Sequence, residues 1–271
     1  AAYVYQRTSS GWNQVAKLTA PDAAAGDHFG EKLAISGNTL VIGAPGRTVD
    51  GVAGNGAVYV YQLDVGAWNY VARIDNPEPG AAETYTDNFG GSVAVEGDTL
   101  VVGTYLDNRG ALNNGSAYVF GRNQGGEDQW GLVKRIDPGS TGTNQQFGFP
   151  VVISGDTIAV AAAQANRVFL FERNLGGSEN WGQVAQLNGS GGEYFGNGLA
   201  LDESTLVVGS YTLSGTGHAD IFERDAGGSN NWGTVKTLTA SDPQSQNWFG
   251  FSAAIDGDSV VVGSILHDQS G

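Results

Sequence analysis

A Phe-Gly pair returns five times along this chain, at Phe29-Gly30, Phe89-Gly90, Phe147-Gly148, Phe195-Gly196 and Phe249-Gly250. Recurrence at intervals of about fifty residues marks a repeat architecture, in which each unit buries its apolar face only against its neighbours. The same order follows each complete pair: an apolar strand, a tight turn, a second apolar strand, a loop, an aromatic strand, and a strand introduced by tryptophan. In the first unit the hairpin reads Leu33-Ala34-Ile35, Gly37-Asn38, Leu40-Val41-Ile42, and Gly97-Asp98, Gly155-Asp156 and Gly257-Asp258 hold the equivalent turns. Glycine supplies the positive φ that a two-residue hairpin turn needs. The apolar runs, such as Val151-Val152-Ile153 and Val260-Val261-Val262, are nearly continuous, which predicts strands buried on both faces. The third strand alternates more, as in Val58 and Val60 or Tyr118 and Phe120. The fourth begins near Trp12, Trp68, Trp130, Trp181 or Trp232, whose regular recurrence reads as a packing anchor. Four strands in each of five units, with no helical period, predict an all-β fold: a five-bladed β-propeller of four-stranded antiparallel blades.

The chain ends carry the two halves of one unit. Ala1-Ala2-Tyr3-Val4-Tyr5-Gln6 matches Ala57-Val58-Tyr59-Val60-Tyr61-Gln62, and Trp12 takes the place of Trp68. The other terminus supplies a Phe-Gly pair and two strands. A composite closing blade built from 249–271 plus 1–18 is therefore expected, with N-terminal strands pairing with C-terminal strands to close the ring and leave no open sheet edge. Residues 1–271 are expected to form a single propeller domain.

Composition narrows the partners. Glycine contributes 43 of 271 residues, about twice its usual ~7% share, as many tight turns would require. Thirteen Lys and Arg against 28 Asp and Glu give a formal charge of −15, which excludes nucleic acid and anionic membrane surfaces as favourable partners. There is no cysteine, hence no disulfide, zinc-thiolate site or thiol nucleophile. No apolar run is long enough to insert into a membrane. The lack of any methionine, even at position 1, reads as a processed or excised piece. An extracellular or cell-surface monomer is expected.

Catalysis by a glycoside-cleaving propeller needs two carboxylates on inner strands. Just after the Phe-Gly pairs only Glu31 offers an acid, beside Lys32, and it reads as a paired charge. Glu96 and Asp202 lie where turn chemistry explains them. His28, His218 and His267 occupy different places in different units, without HxH or HxxxH spacing. These observations lead to the expectation that the protein is not an enzyme.

Phe-Gly followed about a dozen residues later by Gly43-Ala44-Pro45 resembles the FG-GAP repeat of the integrin alpha-subunit head and of bacterial surface proteins. The second element decays to Gly103-Thr104-Tyr105, Ala161-Ala162-Ala163, Gly209-Ser210-Tyr211 and Gly263-Ser264-Ile265. The resemblance implies a binding or adhesion module acting through a protein or glycan ligand on the loop face. Some such repeats carry calcium in the first hairpin turn, but Ser36-Gly37-Asn38 is too short to wrap an ion that takes about six to eight oxygens. No cofactor is expected; the oxygen-rich stretches Asn123 to Gln129 and Asp225 to Asn231 read as hairpin tips. Aromatic and polar residues coincide in the loops, where they suit sugars or peptides. The candidate ligand-binding residues are Arg47, Asp50, Tyr85, Tyr105, Asp107, Arg109, Tyr211, Trp248, His267 and Asp268. A carbohydrate-binding lectin, a glycan-active enzyme and a ligand-free scaffold are the alternatives.

Overall fold

The computed structural model describes residues 1–79, 86–109, 111–126, 128–139, 142–189 and 194–265. Among the described residues the chain is all-β, with 20 strands and one short 3-10 turn at Ala163–Ala165. It divides into two compact units, Ala1–Ile136 and Asp137–Gly271.

Unit 1 opens with a two-stranded sheet, β1 (Ala2–Thr8) and β2 (Gly11–Leu18). Two four-stranded meanders follow: β3 (Leu33–Ser36), β4 (Thr39–Ala44), β5 (Ala57–Asp64) and β6 (Ala67–Asp75), then β7 (Ser92–Glu96), β8 (Thr99–Thr104), β9 (Ser116–Arg122) and β10 (Trp130–Ile136). Unit 2 holds two more: β11 (Val151–Ser154), β12 (Thr157–Ala162), β13 (Arg167–Glu172) and β14 (Gly182–Asn188), then β15 (Tyr194–Asp202), β16 (Thr205–Tyr211), β17 (His218–Glu223) and β18 (Gly233–Leu238). It ends with the pair β19 (Phe249–Asp256) and β20 (Ser259–Ser264). Every ladder is antiparallel, as expected of strands joined by short local turns.

Register identifies the two terminal hairpins. The third and fourth strands of each complete sheet slip by one residue at Val60/Tyr61, Leu132/Lys134, Leu170/Phe171 and Ile221/Phe222. The β1–β2 hairpin slips at Val4/Tyr5, the place its match to Val60/Tyr61 requires. Likewise β19–β20 slips between Phe249 and Ser252 as β15–β16 does between Phe195 and Gly198. The termini are therefore a third–fourth and a first–second hairpin of the same repeat. They do not form one sheet: each is two-stranded, and among the described residues no strand of one pairs with the other. The expected composite blade is absent as a continuous sheet. Local turns close each hairpin, whereas joining the halves would also carry the entropy of closing nearly the whole chain.

The phenylalanine of each pair packs on its own sheet. Phe89 meets the rings of Tyr118 and Phe120 edge-on at 5.8 and 6.0 Å, and Phe147 meets Phe169 and Phe171 at 5.3 and 6.4 Å. Second strands β4, β8 and β12 are buried throughout. First strands are not, contrary to expectation; Leu33 and Ile35 of β3 are exposed because β3 is a sheet edge covered on one side only.

The glycine of each pair explains the second element of the motif. Gly90 has φ +88° and its carbonyl lies over Gly43 of the preceding sheet, where a Cβ would meet that oxygen at 2.3 Å. Gly250 stands over Gly209 in the same way, at 2.0 Å. At these two seams neighbouring sheets approach backbone to backbone, which only glycine permits; the third sheet has Ala161 at this position, and there Gly196 of the next sheet makes the room, a Cβ on it meeting the Ala161 Cβ at 2.9 Å. Turns are also tethered to the sheet before them: Gly97 N–H donates to Ser36 Oγ (3.1 Å), Glu203 N–H to Ser154 Oγ (2.9 Å) and Gly257 N–H to Asp202 Oδ2 (2.7 Å).

Trp130, Trp181 and Trp232 are buried, as expected of anchors. Each lies under an arginine that the sequence reading missed, Arg122, Arg173 and Arg224, at 5.2, 4.6 and 5.4 Å from the ring centre. Arg122 and Arg224 also reach the preceding sheet, Arg122 to Thr39 and Gln62, Arg224 to Thr157 and Glu172. Trp12 departs from the pattern at 70% exposure. Its hairpin turns within Thr8 to Gly11, as that of Trp68 turns within Asp64 to Ala67, and lacks the long tip that folds arginine over Trp130, Trp181 and Trp232. Those tips use their oxygens internally: Asn123 Oδ1 accepts from Asp128 N–H, Asn174 Oδ1 from Glu179 N–H and Asp225 Oδ1 from Asn230 N–H.

Candidate functional site

Four rings gather in unit 2 where the strands meet the Phe-Gly turns. Tyr194 and Trp248 each precede a Phe-Gly pair, Tyr211 ends β16, and Phe251 follows Gly250. Tyr211 stacks on Tyr194 with centroids 4.6 Å apart and planes 4° from parallel. Its other neighbours are Trp248 at 4.9 Å and Phe251 at 5.4 Å, and Trp248 lies 6.0 Å from Phe251. Trp248 holds a φ of +53°, uncommon for a bulky side chain, within a turn closed by Phe251 N–H to Trp248 O (3.1 Å). Asn197 Nδ2 donates to the Phe251 carbonyl at 2.7 Å and fixes the far edge. All four rings are half-buried. Burial, then the neighbouring Tyr194, pushes the Tyr211 phenol up. Half-exposed rings beside amide and backbone groups can stack on the apolar face of a sugar while the polar groups take its hydroxyls.

Sequence reasoning named Tyr211 and Trp248, and the structure brings them together. It missed Tyr194 and Phe251 as partners, although their fixed offsets from Phe-Gly were a usable signal. At the matching place of unit 1, the Tyr105 hydroxyl accepts a hydrogen bond from Asn88 Nδ2 (2.9 Å), and its ring covers Gly91.

The charged candidates in unit 1 are engaged with one another. Arg47 donates to Asp27 Oδ2 (2.7 Å) and Asp22 Oδ2 (2.9 Å). Asp22 also accepts from Tyr59 Oη (2.8 Å) and from Arg73. Burial pushes the Asp22 carboxyl up, but the Tyr59 and Arg73 hydrogen bonds and both arginine charges outweigh it and hold the group below its ordinary value. Asp107 is buried, accepting from Ser116 Oγ (2.6 Å) and Arg109 N–H (2.9 Å), with Arg135 at 3.3 Å. Arg109 pairs with Glu78 at 2.5 Å. Asp50 is exposed at a turn bracketed by Val49 and Val52. Glu31 pairs with His28 at 3.2 Å. Tyr85, His267 and Asp268 lie outside the described residues.

One apolar cleft of about 250 Å³ lies along the free edge of β1, lined by Tyr3, Val4, Tyr5, Leu33, Ile35 and Leu40. In unit 2, His218 Nε2 lies 3.3 Å from Asp220 Oδ2, and Thr237 donates to Asp220 Oδ1 at 2.5 Å, a pairing that sequence reasoning did not find.

The FG-GAP repeat family matches residues 12–61, 80–120 and 232–271, covering the Phe-Gly pairs at Phe29, Phe89 and Phe249. The chain carries FG-GAP repeats. No curated protein matches it in sequence. Among solved structures, this FG-GAP protein resembles a protein from Lactobacillus plantarum (TM-score 0.57, 13% identity, 89% of this chain and 64% of that one). It also resembles the periplasmic gluconolactonase PpgL of Pseudomonas aeruginosa (TM-score 0.59, 15% identity, 96% of this chain and 71% of that one). The FG-GAP chain thus spans somewhat less than two thirds of the Lactobacillus protein. At these identities the likeness is one of fold, the β-propeller. It corrects one expectation: an enzyme shares this fold, so the inference that the protein is not an enzyme fails. Fold alone does not decide whether such a scaffold is catalytic.

Proposed function

We propose that this FG-GAP protein works outside the cytoplasm as a ligand-binding propeller, and that a sugar ring is held on the shelf of Tyr211 and Trp248. The observation that carries this reading is the four-ring cluster, half-exposed where loops leave the strands. In this reading the protein has five blades. Adhesion through a surface glycan is the biological use it suggests.

The likeness to a gluconolactonase favours a second reading, turnover of a sugar lactone at the same shelf. A glycan array and a panel of sugar lactones, run on wild type, Tyr211→Ala and Trp248→Ala, separate the two. Binding without turnover that both variants abolish is the expected result. Lactone hydrolysis that both variants abolish selects the second reading. Silence on both panels, or binding unaffected by either variant, removes the shelf from function.

A further inference from the structure

Tyr59 and Tyr118 occupy the same place in two successive sheets of unit 1. Each stands opposite an arginine of the fourth strand, Tyr59 opposite Arg73 and Tyr118 opposite Arg135. Each sheet also sends an arginine from the loop after its second strand, Arg47 in one and Arg109 in the other. Both tyrosines are fully buried. In the first sheet the donors converge on a carboxylate: Asp22 accepts from Tyr59 Oη (2.8 Å), from Arg47 Nη2 (2.9 Å) and from Arg73.

Asp22 stands seven residues before Phe29, and the residue seven before Phe89 is Ala82, which brings no acid. Among the described residues Tyr118 Oη has no hydrogen-bond partner, and neither does Arg109 Nη2. The neighbouring acids are turned to other groups: Glu78 Oε2 to Arg109 Nη1 (2.5 Å) and Arg135 Nε (3.5 Å), Asp107 to Ser116, Arg135 and Arg109. Buried polar groups are rarely left unpaired in a native fold. Among the described residues the Tyr118 hydroxyl and guanidinium N–H groups of Arg109 are, whereas the matching tyrosine of the sister sheet donates to Asp22.

We propose that the second sheet binds the carboxylate of a small organic acid at this position, with Tyr118 Oη and Arg109 Nη2 donating to it. Access follows the sister site, where the partly exposed Asp22 touches a fully buried phenol; Arg109 and Glu78 are likewise partly exposed. The nearby Asp107 and Glu78 favour a monoanion over a dianion such as phosphate.

Acetate is the probe, with acetamide as neutral isostere and sodium chloride at matched ionic strength. The wild-type melting temperature is expected to rise by roughly 3 °C at ten times the acetate dissociation constant, and acetamide should do nothing. Tyr118→Phe is expected to abolish that rise while melting no lower than wild type without acetate, because it deletes an unpaired hydroxyl. Asp22→Ala is expected to gain a second acetate-dependent rise, the first sheet then having the same unpaired donors. No acetate-specific rise in wild type, or one that survives Tyr118→Phe, overturns the proposal. A rise that appears only in Glu83→Gln also overturns it, since the chain's own acid next to Ala82 would then fill the place.

Discussion

Asn88 and Tyr105 of unit 1 stand where Tyr194 and Tyr211 stand in unit 2, one residue just before a Phe-Gly pair and the other at the end of the second strand. The first two meet through a 2.9 Å hydrogen bond, the second two through rings stacked 4.6 Å apart. One backbone step recurs in both units, with the Phe-Gly carbonyl over a glycine of the preceding sheet at Gly90–Gly43 and at Gly250–Gly209. The repeat holds the backbone fixed and leaves the side chains at the loop end free to differ. Unit 1 uses that freedom for a network of arginines, acids and tyrosines, unit 2 for an aromatic shelf. Chemistry is therefore to be sought where the repeats diverge.

The largest effect is expected where a glycine carbonyl of one sheet lies directly over a glycine of the sheet before it. Gly209→Ala places a methyl 2.0 Å from the Gly250 carbonyl and should cost more than about 3 kcal/mol or prevent folding, as backbone strain in a packed seam does. Gly37→Asn, in an open turn at φ +54°, should change stability by less than about 1 kcal/mol. Chemical denaturation of the two variants reads the difference, and equal effects would mean that the seam is not what the units share.

Asp22→Ala is next. It should cost about 1–3 kcal/mol, chiefly by leaving the buried Tyr59 hydroxyl unpaired; the partly exposed arginine pairs add little because solvent screens them. Arg224→Lys should cost about 1 kcal/mol, since lysine keeps the charge but loses the planar fork that covers Trp232 and reaches Thr157 and Glu172. The same change at the exposed Arg7 should be silent.

The smallest effect is a pH dependence confined to unit 2. Burial raises the Asp220 carboxyl, but hydrogen bonds with His218 and Thr237 and the histidine charge outweigh this and lower it. A depressed carboxyl stabilises fully above its unfolded value of ~3.9 and loses that contribution as pH falls through the lower folded value. Asp220→Asn should therefore lower the melting temperature at pH 7 and approach wild type near pH 3. A gap that persists at pH 3 would assign Asp220 a packing role instead.

The scaffold was legible because turn glycines, apolar second strands and Phe-Gly pairs recur under one backbone demand, and so even the split unit at the termini could be recognised. Whether the halves join was not legible: Val4 and Tyr5 read as strand whether or not a neighbour lies beside them. Tyr211 and Trp248 were found as aromatic residues in loops, but their stacking depends on the path of a left-handed residue. Arg47, Asp107 and Arg109 were named for charge alone. The sequence does not reveal that they satisfy one another, because partners such as Asp22 and Glu78 come from the loop entering the next repeat.

The most direct test labels the indole N–H groups of the six tryptophans and follows them by heteronuclear NMR during titration with the sugar that binds best. The account expects the Trp248 resonance to move and those of Trp130, Trp181 and Trp232, locked under their arginines, to stay. Shifts at the three anchors with Trp248 unmoved would contradict it.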